Sequence, residues 1–285
     1  MTRDLSPRKK VVLITGSTRG IGKETALALA ALGATTVIVG RDAQRTAQVA
    51  AEIQNQTGSQ RIDYLVTDLS SLAQTRNLAQ EFMRRYDRLH VLINNAGAIF
   101  MKREESVEGF EKTLALNHLS PFLLTNLLLD VLRASAPARI INVSSAAHRM
   151  ARVRFDDLQY QRGYRGWIAY AQSKLANIYF TRGLEGWMDG RGVSANALHP
   201  GFVATHFGRS NGGVFAPFFA LSQVLAVSPQ EGAQTSIYLA ASPEVEGVSG
   251  KYFHRCRAVA PSPAAGDLSA ARRLWDISLE LTAPF

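Results

Sequence analysis

The sequence predicts an α/β protein in which one doubly wound, parallel sheet of about seven strands carries helices on both faces. Three observations predict it. Short aliphatic and β-branched runs alternate with longer helical patterns, the order that builds a parallel sheet. The strand runs are apolar almost throughout, as strands buried on both faces must be. Along all 285 residues no linker, repeat or low-complexity block interrupts the alternation, so the chain reads as one domain over 1–285.

The first strand is Val11–Thr15, and the run Thr15-Gly16-Ser17-Thr18-Arg19-Gly20-Ile21-Gly22 follows it at once. Its glycines permit a tight turn and the close approach of a pyrophosphate. The helix behind it, Ile21–Leu32, offers free N–H groups and the positive end of its dipole. Strand, glycine-rich turn and helix in this order read as the opening of a Rossmann-type, dinucleotide-binding sheet. The loop alone would serve equally as a turn needing positive φ.

The second strand, Thr35–Val39, ends at Gly40 without a carboxylate. An acidic residue there would bind a ribose 2′-hydroxyl and repel a 2′-phosphate. Arg41 instead offers a cationic fork suited to phosphate, and Arg19 is a second basic residue in the loop. NADP(H) is therefore the expected cofactor, in preference to reading both arginines as surface charge. Asp42 fits a cap for the next helix, Ala43–Gln56.

Strand Ile62–Thr67 leads to Asp68-Leu69, with Asp68 or Ser70 a candidate cap for helix Leu72–Tyr86. Strand Val91–Asn94 runs into Asn94-Asn95-Ala96-Gly97. One helical pattern over Gly109–Leu129 carries Asn117, and strand Arg139–Val143 runs into Ser144-Ser145. Helix Trp167–Trp187 carries Tyr170 and Lys174, which are four apart and so share a face. A free tyrosine titrates near pH ~10; the expectation is that the Lys174 cation favours the phenolate and draws that value down. Strand Val193–Leu198, helix Pro229–Ala240 and a short seventh strand at Tyr252–Phe253 complete the pattern.

Two insertions, near 146–165 and 201–228, break the alternation. Both emerge at the carboxyl ends of strands, where ligands bind in open parallel sheets. The second is rich in apolar residues, Phe202, Phe207 and Phe215 through Leu225 among them, and reads as a lid over an apolar substrate. Its apolar part, Phe215–Val227, is too short to span a bilayer; interfacial membrane contact is the alternative.

The spacing Gly16, Gly20, Gly22 resembles the TGxxxGxG loop of the short-chain dehydrogenase/reductase family, and over about residues 10–280 further motifs follow in the family's order. Tyr170-Ala171-Gln172-Ser173-Lys174 matches its YxxxK. The resemblance implies that Tyr170 exchanges the proton at the substrate oxygen, while Lys174 also holds the nicotinamide ribose. Ser145, chosen over Ser144 by the motif, would polarise the substrate carbonyl. Asn117 would hold a water that links Lys174 to solvent.

For the cofactor, the resemblance implies contacts along the loop from Gly16 and Ser17 through Thr18, Arg19, Gly20 and Ile21 to Gly22, with Arg41 beside it. Asp68 and Leu69 match the adenine-contacting pair. Asn95, Ala96 and Gly97 belong to the NNAG motif under the adenosine ribose. Pro200-Gly201-Phe202-Val203-Ala204-Thr205 matches the PGxxxT segment, with Pro200, Gly201, Val203 and Thr205 at the nicotinamide carboxamide. No metal is expected.

Asn142–His148, Phe155-Asp156-Asp157-Leu158, Ala169–Asn177, Gly250–Phe253 with Cys256, and Arg273-Leu274-Trp275 are similar to the retinol dehydrogenase-like branch. That implies hydride transfer between nicotinamide and an apolar alcohol or carbonyl. Protochlorophyllide reductases carry the same Tyr–Lys pair but lack the serine and have other cysteines. A non-catalytic NADP-binding regulator would not need all four polar residues.

The net charge of +9 comes from scattered residues, 25 of the 32 basic ones arginine. This reads as solvated surface and argues against a nucleic-acid footprint. Cys256 is the single cysteine, so no intrachain disulfide forms and a reducing compartment is expected. Met1–Lys10 is polar and basic, unlike a signal peptide or anchor. A cytoplasmic enzyme of small molecules is the expectation, as monomer or homo-oligomer.

Overall fold

The computed structural model describes residues 10–187, 192–201 and 228–285. Among these residues, eight strands form one sheet in the order β3-β2-β1-β4-β5-β6-β7-β8. They are β1 (Val11–Thr15), β2 (Thr35–Gly40), β3 (Ile62–Val66), β4 (Val91–Asn94), β5 (Ala138–Val143), β6 (Val193–Leu198), β7 (Tyr252–His254) and β8 (Arg257–Ala258). The first seven run parallel and β8 returns antiparallel to β7. The turn between them places Arg255 and Cys256 both at positive φ, the shape that suits a tight hairpin. Two residues carry no periodicity, which is why this eighth strand was not expected.

Successive residues of β1 serve opposite faces. Leu13 packs with Val37, Leu92 and Ile140 under Phe82, Phe122, Phe180 and Trp275. Val12 and Ile14 pack with Ile38, Ile93 and Ile141 under Leu29, Ile53 and Leu239. The helices on the second face are α1 (Gly20–Ala31), α2 (Ala43–Thr57) and α8 (Pro229–Ala241). Those on the first include α3 (Leu72–Arg85), α7 (Gly166–Trp187) and α9 (Leu268–Thr282). Strand order reverses between β1 and β4, and the crevice outside their carboxyl ends is where an open sheet of this kind binds ligands.

The single helix expected over Gly109–Leu129 is divided. Gly109 has φ +81°, and helical structure begins only after Glu111. The Glu111 carboxylate accepts from the N–H groups of Thr113 (2.8 Å) and Leu114 (2.7 Å), capping α4 (Lys112–Leu114). A π-helical segment over Ala115–Leu119 follows, then α5 (Ser120–Leu127) and α6 (Leu129–Ala134). Pro121 has no N–H to close an α-helical bond onto the Asn117 carbonyl, and the helix widens at that point. Wide turns of this kind recur at functional sites.

Within the first insertion, Ala146–Met150 forms a 3-10 turn. The remainder is pinned to α7 by Gln172, which accepts from Arg154 N (2.8 Å) and donates to Leu158 O (2.9 Å).

Candidate active site

The loop after β1 is shaped by contact with the segment after β4. Gly16 has φ +63°, and a Cβ there would stand 2.7 Å from the Ala96 Cα; a Cβ on Gly22 would strike the Gly16 carbonyl and the Asn95 amide. Asn95 Nδ2 donates to the carbonyls of Thr15 (2.8 Å) and Gly16 (3.0 Å). Thr15 Oγ1 accepts from the N–H groups of Asn95 and Ala96, both at 3.0 Å. Ser17 is wholly buried. Its hydroxyl donates to Ile14 O (2.8 Å) and accepts from Val39 N (2.9 Å), so it holds the loop's shape against β2.

Helix α1 opens behind Arg19 with no side-chain cap and no acidic residue in its first turn. Its first N–H groups and positive dipole end therefore meet whatever lies against the loop, a fit for a pyrophosphate. Thr18 is half-buried, while Arg19 and Arg41 are exposed at the loop and at the end of β2. Asp42 is engaged elsewhere, accepting from Arg45 N (2.7 Å) as the cap of α2. Asp68 accepts from the N–H (2.9 Å) and hydroxyl (2.8 Å) of Ser70. The cap of α3 is neither of those two residues but Ser71, which directly precedes the helix and accepts from Gln74 N. Leu69 lies in the core beside them.

The four polar side chains expected to act together meet at the ends of β4 and β5. Tyr170 and Lys174 are both buried on α7. Lys174 Nζ donates to Val143 O at the end of β5 (3.0 Å) and lies 5.6 Å from the centroid of the Tyr170 ring. Asn117, in the π-helical segment, accepts from Ala98 N and donates to Ala98 O and Ser173 Oγ, each at 2.9 Å. A Cβ on Gly97 would stand 3.0 Å from Lys174 Nζ and 3.2 Å from Asn117 Oδ1, so the three residues share one corner.

The two adjacent serines separate cleanly. Ser144 is buried, and its hydroxyl donates to Lys174 O (2.7 Å), clamping α7 to β5. Ser145 is half-buried, and its hydroxyl lies close enough to Tyr170 to pull the titration of that hydroxyl downward. Its Oγ also accepts from Ala147 N (3.2 Å).

Electrostatics depart from expectation here. Burial pushes the Tyr170 hydroxyl up to about 12, with the Ser145 hydrogen bond pulling the other way. Burial also pushes Lys174 down to about 8. The anticipated lowering of Tyr170 by its neighbour does not occur, because the same dry surroundings disfavour both charged forms.

Residues 10–212 match the model of the short chain dehydrogenase family. The chain belongs to the short-chain dehydrogenase family. This short-chain dehydrogenase is retinol dehydrogenase-like. Retinol dehydrogenase 13 from Mus musculus is 43% identical over 281 residues, covering 95% of this chain and 83% of that protein. Among solved structures, an uncharacterized protein from Mycobacterium Paratuberculosis superposes with a TM-score of 0.80 at 31% identity, over 98% of this chain and 95% of that one. The Pseudomonas aeruginosa RhlG/NADP active-site complex gives 0.71 at 30% identity, over 89% and 97%.

Pro200 and Gly201 follow β6 after His199, with Gly201 at φ +86°. Val203, Thr205 and the expected lid, Phe202–Val227, lie outside the described residues. Ser173 is a member of the site that the sequence reading passed over. Its hydroxyl, fixed by Tyr170 O (2.7 Å), holds Asn117, and it sits inside the YxxxK motif, where only its spacing from Tyr170 could have drawn notice. Apolar side chains stand exposed nearby in the sequence: Met150 (70%) ends the turn behind Ser145, and Trp167 (37%) and Ile168 (39%) precede Tyr170. The Trp167 ring meets that of Tyr170 edge-on, with centroids 6.3 Å apart. Among the described residues, no helix is long and apolar enough to cross a membrane.

Proposed function

We propose that this oxidoreductase uses NADP(H) to interconvert an apolar alcohol and its carbonyl compound. The observation that carries the reading is the convergence of Ser145, Tyr170, Lys174 and Asn117 beside the glycine cradle of β1. When bound, the nicotinamide supplies or takes up the hydride. The hydroxyls of Ser145 and Tyr170, neighbours in the site, are suited to grip one substrate oxygen. Tyr170, kept protonated by burial, gives its proton to that oxygen as negative charge develops. Lys174, brought near neutrality by the same burial, is suited to exchange a proton with solvent along the Asn117 corner.

NADP is favoured over NAD by Arg19 and Arg41, exposed around the end of β2, and by the engagement of Asp42 in capping. The similar RhlG structure is described as an NADP complex. Met150, Trp167 and Ile168, exposed and close in sequence to Ser145 and Tyr170, fit an apolar substrate, and the retinol dehydrogenase relatives point the same way. The single Cys256, unpaired, suits the reducing cytoplasm.

The test is NADPH oxidation with a panel of lipophilic aldehydes and ketones, retinal among them, set against polar carbonyls. Tyr170→Phe should lower turnover by more than about 100-fold while leaving NADPH binding nearly intact. Retained turnover would sink the mechanism, and failure of the unmodified protein on every substrate would favour a cofactor-binding regulator.

A further inference from the structure

We propose that His148 is a positioning residue: its Nδ1–H fixes the Ser145 carbonyl and, through it, the hydroxyl that meets Tyr170. This rests on the functional reading above and adds to it a side chain with no assigned role.

The turn over Ala146–Met150 is short, and bonds of this kind are individually weak. Its one buried side chain is His148, wholly enclosed while Ala146, Arg149 and Met150 are exposed. The Ser145 carbonyl receives two contacts from that residue, His148 N at 3.1 Å and His148 Nδ1 at 2.7 Å. A carbonyl oxygen has two lone pairs, so both are used.

The opposite ring nitrogen decides the proton's position. His148 Nε2 lies 3.0 Å from the Ser262 N–H, a group that can only donate. Nε2 must therefore accept, and the ring proton sits on Nδ1, facing the Ser145 carbonyl, which can only accept. Two independent partners demand the same tautomer. Tyr252 OH stands 3.3 Å from Nδ1, with its ring 4.9 Å from the imidazole, and closes the pocket from β7.

Ser262 precedes the 3-10 turn Pro263–Gly266 and helix α9, which packs on α7 through Leu274, Ala271, Leu175 and Tyr179. The imidazole thus ties the Ser145 turn to the elements that support the Tyr170 helix. The serine and the tyrosine hydroxyls are held in register through one buried ring.

Two conservative variants separate its nitrogens. In His148→Asn the side-chain amide can replace Nδ1 as donor to Ser145. In His148→Gln the amide reaches the Nε2 end and leaves that carbonyl short of a donor. Relative to the unmodified enzyme with NADPH and a lipophilic aldehyde, His148→Gln should lower kcat about 10- to 100-fold, with KM for NADPH unchanged, and His148→Asn should stay within about threefold. His148→Gln as fast as His148→Asn, or losses in both that follow their loss of thermal stability, would overturn the proposal. Imidazole 15N shifts of the unmodified protein provide a readout apart from turnover. The Nδ1-protonated tautomer is expected, and the Nε2-protonated form refutes the assignment whether or not substrate is consumed. The expected tautomer in a protein without turnover would instead count against the functional reading alone.

Discussion

Burial pushes Tyr170 up to about 12 and Lys174 down to about 8, so at neutral pH the tyrosine carries its proton and the lysine is still mostly charged but loses its proton just above that range. A proton-bearing tyrosine serves reduction of a carbonyl; alcohol oxidation needs it to accept. Since a raised pKa keeps the proton on over the range below it, loss of the Tyr170 proton should not limit the reductive rate from pH ~6 to ~9, any inflection near 8 belonging to Lys174, while the oxidative rate climbs with pH. Rate profiles in both directions check this, and an oxidative rate that is flat through the alkaline range would contradict it. The identities of these residues were legible in the motifs, because each is a polar group at a fixed place on a strand end or helix. Their titration was not, since spacing says that Lys174 is near Tyr170 but nothing of how dry the corner is. Arg41 stands differently: it is exposed, and its worth depends on a 2′-phosphate. Arg41→Ala should weaken the preference for NADPH over NADH about 10- to 100-fold in kcat/KM. An unchanged ratio would remove Arg41 from the cofactor site.

At the scale of elements, the strands were readable because burial on both faces demands continuous apolar runs, as in Val11–Thr15 and Val91–Asn94. Their parallel order followed from the helices between them. What periodicity could not reveal was the π-helical segment that presents Asn117, since a π turn differs from an α turn only in its bonding and the apolar pattern runs through it. The glycine loop lies between these cases. Its composition was informative, but the reason for each glycine is tertiary. Gly16 faces the backbone of Ala96, eighty residues away. Gly16→Ala would add about 1–2 kcal/mol of left-handed strain to a contact of 2.7 Å with the Ala96 Cα. The loop must then move off the segment after β4, and NADPH binding should weaken by at least about 10-fold. Isothermal titration measures it, with Gly58→Ala, a left-handed helix end with nothing within 4 Å, as the control that carries strain without the contact.

Across the whole molecule, the last helix closes over the first face of the sheet through a contact that no local pattern could announce. His118, next to Asn117, lies 2.8 Å through Nε2 from Ser278 Oγ on α9, 160 residues away. The Ser278 hydroxyl already donates to Leu274 O (2.7 Å), so Nε2 donates to it and Nδ1 is left bare. Nδ1 has no hydrogen-bond partner among the described residues, and the ring packs against Phe122 and Phe180. A second proton would have to enter there without an acceptor, and burial accordingly lowers this histidine from 6.5 to about 4. Between those values the unfolded chain binds more protons than the folded one. The contribution is fully present above pH ~6.5 and is lost as pH falls toward ~4, by about 3 kcal/mol at most. His90, His148 and His199 are also lowered by burial and also lose stability on acidification, so the size of the acid loss alone does not identify His118. His118→Leu does, because it fills the apolar site and removes one titration. Urea unfolding at pH 7 and pH 4.5 should show a smaller acid loss in the variant than in the unmodified protein. If both lose equal stability, His118 is not the group whose exclusion from protonation holds α9 against the sheet.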